Sequence, residues 1–196
     1  MNLFQLQSPI KTIHSWRGVI TRFLLVLGCL FVLGMPSALA GINDDHFDGN
    51  VFVLYGGNAS LVPAKITLEK SLQQSDRATV LVLYLDDCSD CKQYAPVVSR
   101  LQAFYGRATY IIPVNVDTIP PKSSYAPTEA GYYYKGVVPQ VVVFDRAGKI
   151  VLNKKGQVPY EQVDDILREV FDLLPRSESQ ELKRRSFNEF SSELTK

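Results

Sequence analysis

The pair Cys88 and Cys91 carries the most reactive side chains in this sequence of 196 residues. Two cysteines three positions apart form either a local redox dithiol or half of a metal site. A zinc site takes four ligands, and His46 is the only histidine after residue 40. The third cysteine, Cys29, lies in a separate apolar segment. We therefore expect thiol–disulfide chemistry, with no metal and no bound cofactor.

A strand and a helix must position this pair. Residues 78–85 form a continuous apolar run, which is typical of a central strand buried on both faces. The residues after Cys91 predict a helix that ends at Gly106, and its apolar side chains recur at helical spacing: Tyr94, Val97, Val98, Leu101, Phe104 and Tyr105. Free N–H groups and the macrodipole at a helix N-terminus stabilise a thiolate. We expect Cys88 to be the exposed nucleophile and Cys91 to be the buried thiol that resolves a mixed disulfide.

Several charged residues surround the two cysteines. Like charges from Asp86, Asp87 and Asp90 are expected to raise the pKa of Cys88, against the helix dipole. Lys92 would offset this effect only in part. This excess of negative charge around Cys88 predicts a slow, specialised enzyme rather than a general disulfide reductase.

The remaining pattern predicts the other elements and their order. Strands are predicted at residues 51–55 and 109–116, a short helix at 67–74, a long loop at 118–136, a β-hairpin at 141–152 with its turn at Ala147-Gly148, and a closing helix at 163–174. A β-α-β-α-β half followed by β-β-α predicts an α/β fold, in which a central mixed β-sheet has helices on both faces.

Residues 1–40 have the pattern of a targeting segment. Basic residues precede an apolar run at 23–34, and Ala38-Leu39-Ala40 is typical of a cleavage site before Gly41. The segment is therefore predicted to be a signal peptide, and the uncharged stretch 23–43 leaves a membrane anchor as the alternative. On either interpretation the domain is exported to a compartment that permits disulfides.

Composition and charge describe the rest of the chain. Residues 41–50 are polar and predict a solvated linker, 51–174 hold the domain, and 175–196 form a charged tail that is either a docking arm or a disordered end. The formal net charge of +1 falls to −2 without residues 1–40, which contain three basic residues and no acid. This balance argues against nucleic acid as a partner.

Four features in this order resemble the thioredoxin family over residues 51–174. They are the Cys88-Ser89-Asp90-Cys91 stretch between strand and helix, Val116-Asp117 at the end of the next strand, Val138-Pro139 before the hairpin, and Gly156 before the last helix. The resemblance implies a thioredoxin-like fold with Cys88 and Cys91 as catalytic residues that form a disulfide. It also implies that Pro139 is cis and that the N–H and carbonyl of Val138 are free to pair with an extended substrate.

The sequence also departs from the thioredoxin pattern. Thioredoxins carry Trp before the first cysteine and Gly-Pro between the two, where this chain has Asp87 and Ser89-Asp90. The family's buried Asp and its partner Lys align with Val82 and Pro113. The resemblance therefore implies that the usual proton relay is missing.

A cluster of tyrosines precedes the Val138-Pro139 turn. Tyr132, Tyr133 and Tyr134 are candidates for substrate binding, because tyrosine combines apolar area with a hydrogen-bonding hydroxyl. The alternative is that these rings pack onto their own domain.

Three stretches carry a closer resemblance, at residues 86–93, 131–140 and 173–179. They are similar to thioredoxin-like proteins of cyanobacterial thylakoids that are implicated in photosystem I accumulation. The resemblance implies an exported thiol–disulfide oxidoreductase in the thylakoid lumen, thylakoid membrane or periplasm, with protein substrates or assembling membrane-protein subunits as partners. The alternative is a non-catalytic assembly factor or chaperone-like binding module in which the dithiol is dispensable.

Overall fold

The computed structural model describes residues 10–33 and 41–179, and the chain divides into two compact units at residues 1–39 and 40–196. The first unit contains helix α1, Ile10–Leu33. No helix in the two described ranges combines the length and the apolar character needed to cross a bilayer. The predicted cleavage motif Ala38-Leu39-Ala40 and the tail beyond residue 179 lie outside the described residues.

A mixed sheet forms the centre of the second unit. Within the described residues it contains strands β1 (Ala78–Tyr84), β2 (Thr109–Asn115), β3 (Gln140–Phe144) and β4 (Ile150–Lys155). Their spatial order is β2-β1-β3-β4, with β1 parallel to β2 and the other neighbours antiparallel. Every residue of β1 and of β3 is buried, which confirms the predicted central strand. The antiparallel pairing of β3 with β4 confirms the predicted hairpin.

Helices cover both faces of this sheet. They are α2 (Val51–Leu54), α3 (Leu68–Leu72), α4 (Ser89–Tyr105), α5 (Ala130–Tyr133) and α6 (Tyr160–Val170), with short 3₁₀ turns at Ala59–Leu61 and Val116–Thr118. Alternate residues of β1 divide the core, since Val80 and Val82 pack with α2, α4 and α6 while Leu81 and Leu83 pack with α3 and α5. The predicted arrangement with helices on both faces is confirmed.

The predicted strand at residues 51–55 is wrong, because the chain forms the helical turn α2 there. The side chain of Asn50 accepts hydrogen bonds from the N–H groups of Phe52 and Val53, and Asp86 accepts from the N–H of Val51 at 3.1 Å. These bonds satisfy the free donors of the helix start, and Val51 and Phe52 are buried against the core. Capping and burial therefore outweigh the β-propensity of the Val-Phe-Val sequence.

Two smaller predictions also differ from the structure. The loop predicted at 118–136 contains the single helical turn α5. Phe104, which was assigned to the buried stripe of α4, is 57% exposed, whereas Tyr94, Val98 and Leu101 are buried as expected. Phe104 instead lies beside the ring of Tyr160, with the ring centroids 6.1 Å apart.

A buried carboxylate joins α4 to α6. Asp164 is 2% exposed and accepts hydrogen bonds from the hydroxyl of Tyr105 at 2.5 Å, the hydroxyl of Tyr160 at 3.1 Å and Nε of Arg168 at 2.9 Å. A buried hydrogen-bond network of this kind stabilises the fold while all its groups are paired, and removal of one group leaves the others unpaired in the core.

We predict that Asp164→Ala lowers the free energy of unfolding by about 3 kcal/mol, because it leaves the hydroxyls of Tyr105 and Tyr160 without their shared acceptor. Urea denaturation measures the change. Asp165→Ala is the matched control on the same helix, since Asp165 is exposed and, among the residues that the structure describes, pairs only with Arg176. That control should lose less than about 1 kcal/mol, and equal losses in the two variants would refute the role of Asp164.

Candidate dithiol active site

The end of β1 delivers the dithiol to the start of α4. β1 ends at Tyr84, and Cys88 is the N-cap residue of α4, where its Sγ accepts a hydrogen bond from the N–H of Cys91 at 3.1 Å. Cys88 is half-buried and Cys91 is 2% exposed, and both are free thiols. The helix start therefore presents one accessible sulfur, with a second sulfur beneath it.

The two sulfurs have opposite acid strengths. A hydrogen bond from the thiol of Cys91 is the main reason that the pKa of Cys88 is lowered, and the N–H of Cys91 adds to this effect against the opposing effect of burial. The same sulfur–sulfur hydrogen bond, together with burial, raises the pKa of Cys91. Cys88 is therefore prepared to act as the thiolate and Cys91 to retain its proton.

The predicted effect of neighbouring acids, which is to raise the pKa of Cys88, is confirmed for Asp90, although the net pKa of Cys88 is lowered. Asp90 does oppose ionisation of Cys88, but a second opposing charge comes from Asp45, which lies far away in the sequence. Asp86 is held elsewhere, since its carboxylate accepts hydrogen bonds from Asn50 at 3.0 Å and from Asn115 at 2.9 Å. The hydrogen bonds from Cys91 outweigh the acidic surroundings.

Lys92 does not act on the dithiol as predicted. Its side chain is 0% exposed, and its Nζ donates to the carbonyl of Gly41 at 2.9 Å, to Asp44 at 2.8 Å and to Asp48 at 2.6 Å. Burial alone would lower the pKa of Lys92, but the bonds to Asp44 and Asp48 outweigh it and raise that pKa. All three ammonium protons therefore have acceptors in the N-terminal segment.

Residues 41–48, which we call the strap, are bound to the start of α4, although residues 42–47 remain exposed to solvent. The predicted solvated linker therefore makes specific contacts with the domain: Lys92 binds the strap at three points, and Asp45 accepts a hydrogen bond from the N–H of Ser89 at 2.8 Å. The strap also forms one wall of an open cleft of about 360 Å³, which is lined by Asp45, Leu85, Asp87, Cys88, Ser89 and Asp90.

The Val138–Pro139 peptide bond is cis, as expected from the resemblance. The carbonyl of Pro139 accepts from the N–H of Gly156 at 2.7 Å, and Gly156 adopts the positive φ of 78° that a glycine tolerates. Across residues 41–179, the N–H and carbonyl of Val138 make no hydrogen bond. Within these described residues, Val138 therefore keeps an unpaired backbone donor and an unpaired backbone acceptor.

The three tyrosines divide between the core and the surface. Tyr133 is 5% exposed, so its assignment as a substrate-contact residue is wrong; its ring packs edge-on against Phe144 with centroids 5.1 Å apart. Tyr132 is 46% exposed, and Tyr134 is half-buried against the core. Val137, directly before the Val138–Pro139 bond, is 44% exposed, so this segment keeps two large apolar side chains at the surface, Tyr132 and Val137.

Gln140 holds this tyrosine segment in place and was not identified from the sequence. Its fully buried side chain donates to the carbonyl of Tyr133 and to Asn153, both at 2.8 Å, and accepts from the N–H of Lys135 at 3.1 Å. The sequence signal that was overlooked is a glutamine in an otherwise apolar strand, directly after the Val-Pro pair.

The aligned positions of the missing proton relay are apolar. Val82 and Pro113 face each other across β1 and β2, and both are buried. No carboxylate or amine therefore occupies those two positions.

A match to a family model decides the family. The model described as the thioredoxin-like domain matches residues 65–171 of this chain. The chain belongs to the thioredoxin-like family. The four-stranded mixed sheet with helices on both faces agrees with this family and confirms the predicted fold.

One relative of known sequence and two solved structures are similar to this chain. This thioredoxin-like chain is 54% identical to a thylakoid membrane protein of Synechocystis sp. over 158 residues, which cover 81% of this chain and 78% of the relative. Among solved structures, mitochondrial thioredoxin 3 of Saccharomyces cerevisiae in its oxidised form aligns at 19% identity over 54% of this chain and 86% of its own, with a TM-score of 0.40. A malarial protein aligns at 16% identity over 47% of this chain and 96% of its own, with a TM-score of 0.39.

We predict that iodoacetamide at pH 7.5 alkylates Cys88 at least about tenfold faster than Cys91 in a full-length Cys29→Ser protein, because Cys88 is accessible and more acidic. The alkylation rate of Cys88 should rise as pH increases through its lowered pKa, with a midpoint below the ordinary thiol value of about 8.5. Peptide mass spectrometry measures both rates. Equal rates, or a midpoint above about 9, would contradict the assigned roles.

Proposed function

We propose that this thioredoxin-like chain is an exported thiol–disulfide oxidoreductase that acts on protein substrates through Cys88 and Cys91. The observation that supports this most is the Cys88 sulfur at the start of α4, where it accepts hydrogen bonds from Cys91 and has a lowered pKa. A fold hosts many functions, so the proposal depends on this site rather than on the sheet around it.

The geometry supports a two-step exchange. The Cys88 thiolate attacks one sulfur of a substrate disulfide, so that a Cys88–substrate bond forms, the substrate S–S bond breaks, and the leaving thiolate takes up a proton. Cys91 then loses its proton, attacks the Cys88 sulfur and releases the second substrate thiolate. The substrate gains two electrons and the dithiol loses two, and a thiol reductant restores the dithiol. The reverse sequence oxidises a substrate dithiol.

Two features beside the dithiol support a protein as the substrate. The free N–H and carbonyl of Val138 offer a strand-like pairing site for an extended chain. The exposed ring of Tyr132 provides apolar contact area near this turn. Substrate would therefore lie along Val138–Pro139, with its cysteine directed at Cys88.

The relative from Synechocystis supports a cellular setting. That protein is described as a thylakoid membrane protein, and it is 54% identical to this chain. We extend this setting to the present chain, with residues 1–40 as its signal peptide or membrane anchor and the thylakoid lumen, thylakoid membrane or periplasm as its location. Within that setting the proposed role is support of photosystem I assembly.

A second candidate function is partner binding without redox turnover. The unpaired peptide groups of Val138 and the exposed Tyr132 and Val137 would bind an unfolded subunit whether or not the cysteines react. The chain would then act as an assembly factor with a dispensable dithiol.

We predict that the double variant Cys88→Ser/Cys91→Ser fails to restore photosystem I in a photosynthetic host that lacks this chain's gene, because neither step of the exchange remains. The ratio of photosystem I to photosystem II reaction centres measures restoration. The control is Cys29→Ser, which should restore the ratio fully.

Three other results would change the assignment. Full restoration by the double variant would refute the redox function and favour the binding module. A host that lacks the gene but keeps a normal ratio would refute the assembly role. In the single variant Cys91→Ser, mixed disulfides that dithiothreitol releases should accumulate on Cys88, and their absence would refute attack by Cys88.

A further inference from the structure

The strap changes the electrostatics of the helix start on which the dithiol depends. Cys88 and Asp45 both use the N-terminus of α4: the Cys88 sulfur accepts from the N–H of Cys91 at 3.1 Å, and the Asp45 carboxylate accepts from the N–H of Ser89 at 2.8 Å. Two negative groups at one helix start repel each other, although each of them alone is stabilised there.

Lys92 keeps Asp45 in this position. Its buried ammonium binds Gly41, Asp44 and Asp48 on both sides of Asp45, and Asp48 also accepts from the hydroxyl of Tyr55 at 2.5 Å. The bonds from Lys92 and Tyr55 lower the pKa of Asp48 to about 2, so the attachment stays charged across the physiological pH range. The ion pair between Lys92 and Asp48 therefore does not switch with pH in this range.

The groups that face Cys88 come from three parts of the fold. Asp45 belongs to the strap, Asp87 and Asp90 flank the cysteine in the sequence and line the same cleft, and Cys91 lies one helical turn away. Lys92 belongs to the same helix but is bound to the strap. Among the described residues that line this cleft, none is basic.

We propose that Asp45 is a positioning residue that acts on Cys88 through the start of α4, where the strap holds its carboxylate. This carboxylate destabilises the Cys88 thiolate and thereby makes the dithiol a stronger reductant. In a two-electron exchange, a couple becomes more oxidising when its reduced thiolate is stabilised, as in the strongly oxidising members of this enzyme class. A carboxylate fixed beside Cys88 has the opposite effect, because it destabilises the thiolate and leaves the disulfide unaffected. This inference rests on the proposed redox function and specifies its direction.

The test is Asp45→Asn in the full-length Cys29→Ser protein. Asparagine keeps an oxygen that accepts the N–H of Ser89, so the helix cap remains while the charge is removed. We expect the midpoint of Cys88 alkylation against pH to fall, and the ratio of disulfide to dithiol in a fixed glutathione buffer to fall by about threefold or more.

The matched control is Asp76→Asn, which removes one exposed carboxylate just before β1, at the end of that strand away from the dithiol. This control should leave both quantities unchanged. An Asp45→Asn protein that behaves like the control would overturn the proposal.

A second variant tests whether Asp45 must be held by the strap to change the alkylation midpoint of Cys88. Lys92→Met removes the ammonium that binds the strap, so the alkylation midpoint should shift in the same direction as in Asp45→Asn. In the double variant Lys92→Met/Asp45→Asn, the lysine change should have no further effect on Cys88. An additive shift would overturn the role of the strap.

These readouts separate this proposal from the proposed function. Both use alkylation and glutathione, so they report on Asp45 even if the dithiol reduces no protein substrate. A chain that shows the Asp45 effect but fails in the photosynthetic host would support the inference and refute the assembly role.

Discussion

The N-terminus of helix α4 is the constraint on which this molecule depends. A helix start offers a small number of unpaired N–H groups and a partial positive charge, and here the Cys88 sulfur takes one donor while Asp45 takes another. The buried strand β1 brings the chain to this point, and Tyr94, Val98 and Leu101 fix α4 on the sheet. The acidity of Cys88 therefore depends on how the free N–H groups and the partial positive charge of this helix start are shared between Cys88 and Asp45.

The site divides its chemistry between two sulfurs of unequal burial. Burial and the hydrogen bond to Cys88 hold the proton on Cys91, while the same hydrogen bond favours the thiolate at Cys88. The acidic rim opposes this effect without reversing it. The departures from thioredoxin, with Asp87 and Ser89-Asp90 around the cysteines and apolar residues at Val82 and Pro113, leave the helix start and the strap as the groups that adjust reactivity.

Much of the fold was predictable because its signals are local. The buried run at β1, the helical spacing in α4 and α6 and the turn at Ala147-Gly148 each lie within one short window of sequence. The same holds for Cys88 and Cys91, whose different burial follows from one helical turn. The Val138–Pro139 pair was identified through the family resemblance rather than through periodicity.

The wrong predictions share a different physical origin, which is contact between distant residues. Helix α2 is capped by the adjacent Asn50 and also by Asp86 from 35 residues away, and the strap is held by Lys92, which binds Asp48 from 44 residues away. The distant partners Asp86 and Lys92 cannot be identified from a sequence window. The predicted contributions of Asp86 and Lys92 to the pKa of Cys88 differ from the structure for a related reason, since counting nearby charges does not reveal that Asp86 is bonded elsewhere and that Lys92 is bound to the strap.

An equilibrium redox titration of the full-length Cys29→Ser protein, read by thiol alkylation and mass, tests the central claim most directly. The account predicts one reversible two-electron transition between the Cys88–Cys91 disulfide and the dithiol, with a midpoint in the range of known oxidoreductases, roughly −270 to −120 mV. The account would be contradicted by a pair that never forms a disulfide, or by a disulfide that resists reduction in every buffer.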